Sequence, residues 1–142
     1  MSQENVEIFR LAVDAWNRQD IEGILAFADP EIEYVNAPGA VEPGTKRGRD
    51  EYAAVVRAQW DAFPDGCWKI DRIHDRGDEM IVEGRVSRSM PGSDARVGNM
   101  LLVSVRFRHG KATRIEILGA GSEVPDALEA VGLSEQDAHA DA

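Results

Sequence analysis

Cysteine, histidine and positive charge are all scarce in this chain, and each scarcity closes off a class of function. The one cysteine, Cys67, cannot form an intrachain disulfide, so stability must come from packing. It follows a turn with no activating neighbour, which makes it a structural or incidental thiol. Three histidines, His74, His109 and His139, are too scattered to hold a metal, and no Cys/His or carboxylate cluster has ligand spacing. Sixteen Lys and Arg face 26 Asp and Glu, a formal charge of −10. Nucleic acid and anionic membrane both require counter-charge from the protein, so neither is an expected partner. No apolar run approaches the roughly 20 residues of a membrane helix. The acidic opening MSQENVEIF does not have the layout of a signal peptide, and a cytoplasmic location is the expectation. Gly39, Gly44 and Gly48 lack the strand-to-helix context of a phosphate loop, and no cofactor is expected.

What is present is a clear order of elements. Val6, Phe9, Val13 and Trp16, flanked by Ile8, Ala12 and Ala15, form an apolar stripe at helical spacing behind a Ser2 cap. The Asn17-Arg18-Gln19-Asp20 break ends that helix, and Asp20 caps a second one carrying Ile21, Ile24, Leu25 and Ala28. Asp29-Pro30 reads as a turn, and Ile32 to Asn36 as a short strand. Residues 37–48 read as a loop. A third helix from Arg49 places Tyr52, Val55, Val56, Gln59 and Phe63 on one face, with Trp60 at its edge.

The texture then changes to period two. Strands are expected at Cys67–Asp75, Glu79–Ser89, Arg96–Arg108 and Ala112–Leu118, joined by short turns as antiparallel hairpins. A short helix, Pro125–Val131, and an acidic, frayed tail from 136 to 142 follow. This predicts one α+β domain over residues 1–135, a curved, mostly antiparallel sheet wrapped around three helices to leave a cone with a pocket.

The segments ENVEIFRLAVDAWNRQDIEGILAFADPEIEY, GRDEYAAVVRAQWDAFPD and RFRHGKATRIEI, the last leading to DALEAVGLSE, resemble SnoaL-like proteins of the nuclear-transport-factor-2-like superfamily. The resemblance spans about Asn5 to Glu135 and implies the cone, a site inside it, and a homodimer formed through the sheet. The fold hosts polyketide cyclases, ketosteroid isomerases, epoxide hydrolases and binding modules, so the residues must decide among them.

The usual catalytic groups are missing at the matching positions. The isomerase base, an aspartate near the end of the first strand, corresponds to Asn36 (or Val35 with one residue of slippage), and asparagine cannot act as that base. The tyrosine and second acid of its oxyanion hole correspond to Ala12 and Val103. The histidine and acid of many SnoaL-like relatives correspond to Val103 and to Gly119-Ala120. An epoxide-hydrolase-like acid–arginine–acid set requires Glu83, Arg85 and Glu116 to point inward, whereas charged strand residues are ordinarily solvated or paired across strands.

What remains as candidate pocket lining is Trp16, Tyr34, Asn36, Gln59, Trp60, Asn99 and Val103. Each has a plainer reading. Asn36 can satisfy its own loop, Gln59 can bond a backbone group, and the aromatics can be core. Three functions stay open on these residues: a domain binding a small, largely apolar molecule; a cyclase-, isomerase- or hydrolase-like enzyme; and a dimerising interaction module without a ligand.

Overall fold

The computed structural model describes residues 2–40, 42–90 and 92–133. The tail from 136, His139 and the side chain of Ser2, on which the first cap rests, lie outside the described residues.

Helix α1 (Ser2–Asn17) buries Phe9, Ala12, Val13 and Ala15, with Val6 and Trp16 partly packed beside them. It stops where Gln19 takes a positive φ of 56°, and Asp20 then caps α2 (Ile21–Phe27). The Asp20 carboxylate accepts from the Gly23 N–H at 3.1 Å. That bond, with Arg18 beside it, holds the Asp20 carboxyl below the usual carboxylate range. Gly23 also lets the two helices meet, because a Cβ there would lie 2.8 Å from the Ala15 Cβ.

Two expectations are corrected at this point. Strand β1 runs from Ala28 to Asn36, so Asp29-Pro30 lies within the strand instead of forming a turn before it. Proline is tolerated there because the ladder to the neighbouring strand skips from Ala28 to Glu33, and the second neighbour pairs only from Glu33 onward. The supposed loop 37–48 contains a short strand, β2 (Gly44–Arg47), antiparallel to the end of β1. Helix α3 (Gly48–Ala62) follows directly. Arg49 near its start donates twice to the Ala28 carbonyl, at 2.9 and 2.7 Å, fastening the helix to the root of β1.

Strands β3 (Cys67–Asp75), β4 (Glu79–Ser89) and β5 (Arg96–Arg108) have the expected bounds, and β6 (Lys111–Ala120) is slightly longer than expected. The β5–β6 hairpin turns on His109 and Gly110, both at positive φ, as a tight two-residue turn demands. The six strands lie in the order β2-β1-β6-β5-β4-β3, with β1 and β6 parallel and every other neighbour antiparallel. Gly84 allows a bulge in β3 to close on β4, since a Cβ there would sit 2.7 Å from the Lys69 carbonyl oxygen.

The α+β cone is as anticipated. Helices α1 to α3 fill the concave face, where Phe9, Phe27, Tyr34, Trp60, Met80, Val82, Val103, Val105 and Phe107 share one core. A second, smaller core lies on the convex face. There a 3₁₀ turn (Gly121–Glu123) leads into α4 (Val124–Ala130), whose Val124 and Leu128 cover Ile81 and Leu102. No helix among the described residues is long and apolar enough to cross a membrane.

Candidate functional site

Burial along alternate residues of the long strands gives the cone a depth axis. On β5, Val105 and Val103 are 0% and 2% exposed, Leu101 is half-buried, Asn99 is exposed and Val97 reaches 37%. On β4 the same register runs from buried Met80, Val82 and Gly84 to half-buried Val86 and Arg88. The concave face therefore runs from a buried end around Val105 to a more exposed end around Val86, Arg88, Val97 and Asn99.

Between these ends lies a hydrogen-bonded chain made from three different elements. The Trp16 indole Nε1–H on α1 donates to Gln59 Oε1 on α3 at 3.2 Å, and Gln59 Nε2 donates to the Tyr34 hydroxyl on β1 at 3.2 Å. The orientation of the amide follows from chemistry. An indole N–H can only donate, so the Gln59 oxygen must face Trp16 and its NH₂ must face Tyr34. The structure thus brings Trp16, Gln59 and Tyr34 into one unit. Trp60 closes it from below, with its Nε1–H on the Trp16 carbonyl at 3.0 Å and its ring 6.3 Å from that of Trp16. Asn17 holds the same helix end by bonding both backbone groups of Trp68, at 2.8 and 2.9 Å.

Burial pushes the Tyr34 phenol up from its ordinary value, partly offset by the bond from Gln59. Tyr52, whose ring lies 5.4 Å from that of Tyr34, is also pushed up, by burial first and then by Tyr34. Both phenols are therefore neutral near pH 7, and Tyr34 serves as a hydrogen-bond group, not a base.

The other candidates fall elsewhere. Val103 lines the sealed interior. Asn36 is buried but turned to its own loop: its Nδ2 donates to the Glu42 carbonyl at 3.0 Å and its Oδ1 accepts from the Ala37 N–H at 3.1 Å. Asn99 stands at the rim, where a Cβ on Gly121 would lie 3.2 Å from its Oδ1.

The hydrolase-like set is overturned by the faces of the strands. Glu83, Arg85 and Glu116 alternate with the concave residues and point to the convex side. There Glu83 bonds His74, Arg85 pairs with Asp71 and Glu116 pairs with Arg114. Among the described residues, the buried carboxylate and imidazole, Glu83 and His74, are both on that outer side. Ala12 and Val103, at the isomerase positions, are buried and apolar.

Two residues that sequence reasoning did not assign to the site stand at this more exposed end. Arg88 on β4 lies over the Phe63 ring, its Cζ 4.4 Å from the centroid, at the point where α3 ends. Their signal in the sequence was parity: Arg88 continues the Met80, Val82, Gly84, Val86 register. Two clefts also indent the outside of the molecule. One of about 340 Å³ lies between α1 and the edge strand β3, lined by Arg10, Val13, Asp14, Asn17, Trp68, Lys69 and Ile70. One of about 180 Å³ lies against β2 and α3.

Comparison with solved structures returns proteins of the same architecture. A protein named TerC, co-crystallised with polyporic acid, superposes with a TM-score of 0.72 at 24% identity over 80% of this chain and 89% of that one. An NTF2-like protein of unknown function from Burkholderia pseudomallei gives 0.73 at 22% identity, over 93% and 98% of the two chains. A candidate SnoaL-like polyketide cyclase from Jannaschia gives 0.70 at 13% identity, over 82% and 85%. Comparison with curated proteins finds no match. At these identities the structural likeness speaks for fold alone. The sequence itself carries the family, since the model of the SnoaL-like domain matches residues 9–115, from the buried face of α1 through Ile115 beside Tyr34. This chain belongs to the SnoaL-like domain family.

Proposed function

We propose that this domain binds a small, largely apolar molecule at the open end of its cone, above the floor made by Trp16, Gln59, Tyr34 and Trp60. The observation that carries this reading is the donor chain from Trp16 through Gln59 to Tyr34. It runs in one direction and ends on a phenolic proton, in surroundings that are otherwise apolar. A planar ligand bearing a carbonyl would accept from that chain while its body meets Leu101, Val86 and Phe63. The side chains that fill the deeper interior confine such a ligand to the open end. Neighbours of this fold include a protein co-crystallised with polyporic acid and proteins named as polyketide cyclases, which is in keeping with a small-molecule site. The concave side offers no buried carboxylate or imidazole among the described residues, so the reading is binding and enclosure rather than acid–base turnover.

The test uses the three indole N–H signals of Trp16, Trp60 and Trp68 in a nitrogen-15 NMR spectrum. On titration with 2-naphthamide, a planar neutral amide, the Trp16 signal moves and that of Trp68, which lines the outer cleft, does not. Gln59→Leu weakens the binding roughly three- to tenfold, the range for loss of a neutral hydrogen bond. Movement confined to Trp68 would transfer the site to the outer cleft and refute this reading.

A second reading, a dimerising interaction module without a ligand, is favoured by the filled interior below Tyr34. It requires the convex face, where Glu33 bridges Arg47 and Arg114, to meet a second copy of the chain. Light scattering that gives the mass of a monomer at micromolar concentration contradicts it.

A further inference from the structure

We infer that the ligand of the cone is an anion, held at the rim by Arg88; the inference rests on the cone-binding reading proposed above. Arg88 is a half-buried residue in the concave register of β4, opposite Val97 on β5, and its guanidinium lies over Phe63. Among the described residues no carboxylate pairs with it. Arg57 and Arg108 also lack a carboxylate partner among the described residues, but both are exposed, whereas Arg88 is half-buried against a ring. Arg18, Arg47, Arg85, Arg96, Arg106 and Arg114 all have acidic partners.

The acid bonded to the residue next to Arg88 is committed elsewhere. Asp65, in the turn after α3, accepts from the Ser89 N–H at 3.1 Å, from the Ser89 hydroxyl, and from Arg96 Nη1 at 3.0 Å. Those bonds hold its carboxyl below the usual range, the Ser89 hydroxyl contributing most. They also fix Ser89, and with it the strand beside Arg88.

A guanidinium held over an aromatic ring keeps its N–H donors for a planar acceptor such as a carboxylate. The rim thus presents a fixed cation beside an aromatic face. The Gln59–Tyr34 donors lie deeper along the same cone. The ligand class matching this layout is a planar aromatic acid or stabilised enolate, with its anionic group at Arg88 and its body pointing inward.

The test compares 2-naphthoate with 2-naphthamide, which share a shape and differ in charge, by titration calorimetry on the full chain. The wild type should bind naphthoate roughly tenfold or more tightly than the amide, as expected for a charge-assisted hydrogen bond. Arg88→Gln should bring naphthoate down to the affinity of the amide and leave the amide unchanged. Arg88→Lys, which keeps the charge, should retain part of the preference, and its melting curve checks that the hairpin still folds. Equal binding of both probes by the wild type, or an equal loss of both in Arg88→Gln, overturns the anionic assignment and leaves the cone reading standing. Binding of neither probe overturns both.

Discussion

Glu83→Ala lowers the free energy of unfolding by roughly 3–5 kcal/mol, the cost of stripping one partner from a buried pair. The Glu83 carboxylate and His74 Nε2 lie 2.9 Å apart, with their side chains 3% and 5% exposed. Glu83 stands opposite Leu102 on β5, and His74 stands opposite Ile81 on β4, both fully buried and apolar. The imidazole left behind is shut away from solvent, with its side chain 5% exposed, and the removed side chain leaves a void as well. Joint replacement by His74→Leu and Glu83→Leu removes both polar groups at similar volume. It should cost well under half as much, because a buried pair is far dearer to break than to replace. Urea unfolding, with a shifted midpoint and an unchanged slope, measures both. A Glu83→Ala variant within about 1 kcal/mol of wild type would show that the pair is solvated in the native state.

Trp60→Ala should cost a comparable amount, about 3–5 kcal/mol for a large buried aromatic. Its consequences extend beyond packing. The Trp60 indole donates to the last-turn carbonyl of α1, on Trp16, and so ties α3 to the helix that carries the first donor of the Trp16–Gln59–Tyr34 chain. Trp60→Phe keeps most of the apolar contact and gives up that bond, so a loss of about 1–2 kcal/mol is expected. Thermal denaturation separates the two variants. In Trp60→Phe, affinity for a cone ligand should fall by more than the small stability loss suggests, because Trp16 is no longer held from behind. Equal stability of the alanine and phenylalanine variants would mean that the ring contributes little to the core.

How far the sequence disclosed this depends on the length of each pattern. Strands β3, β4 and β5 could be bounded to the residue because each is nine or more residues long, alternates over part of its length, and has turn residues at both ends. Strand β2 was hidden because four residues, Gly44–Arg47, are too short for alternation to register, and glycine and lysine are poor strand formers. The start of β1 was misread because Asp29-Pro30 is a turn signal by composition. Here it falls where the ladder is interrupted and a missing N–H costs nothing.

For the site, the polar residue within an apolar helix stripe was the strongest clue. Gln59 needed a partner, and the structure supplies two, Trp16 and Tyr34. Asn36 gave the same kind of signal and proved to serve its own loop. Composition cannot tell such a pair apart, because the difference lies in which groups the fold carries within hydrogen-bond reach. The face of Glu83 and Arg85 was undecidable for a related reason. β4 is apolar on its concave side through Met80 and Val82 but also buries Ile81 on the convex side under α4, so alternation alone does not identify the inside.

The central claim is that the open end of the cone holds a small molecule, and mass alone tests it most directly. A native mass spectrum of the protein purified from its own host should show bound mass on the order of a few hundred daltons, the size of a pocket ligand, lost on denaturation. Bare protein mass, still bare after incubation with either 2-naphthoate or 2-naphthamide, would contradict it.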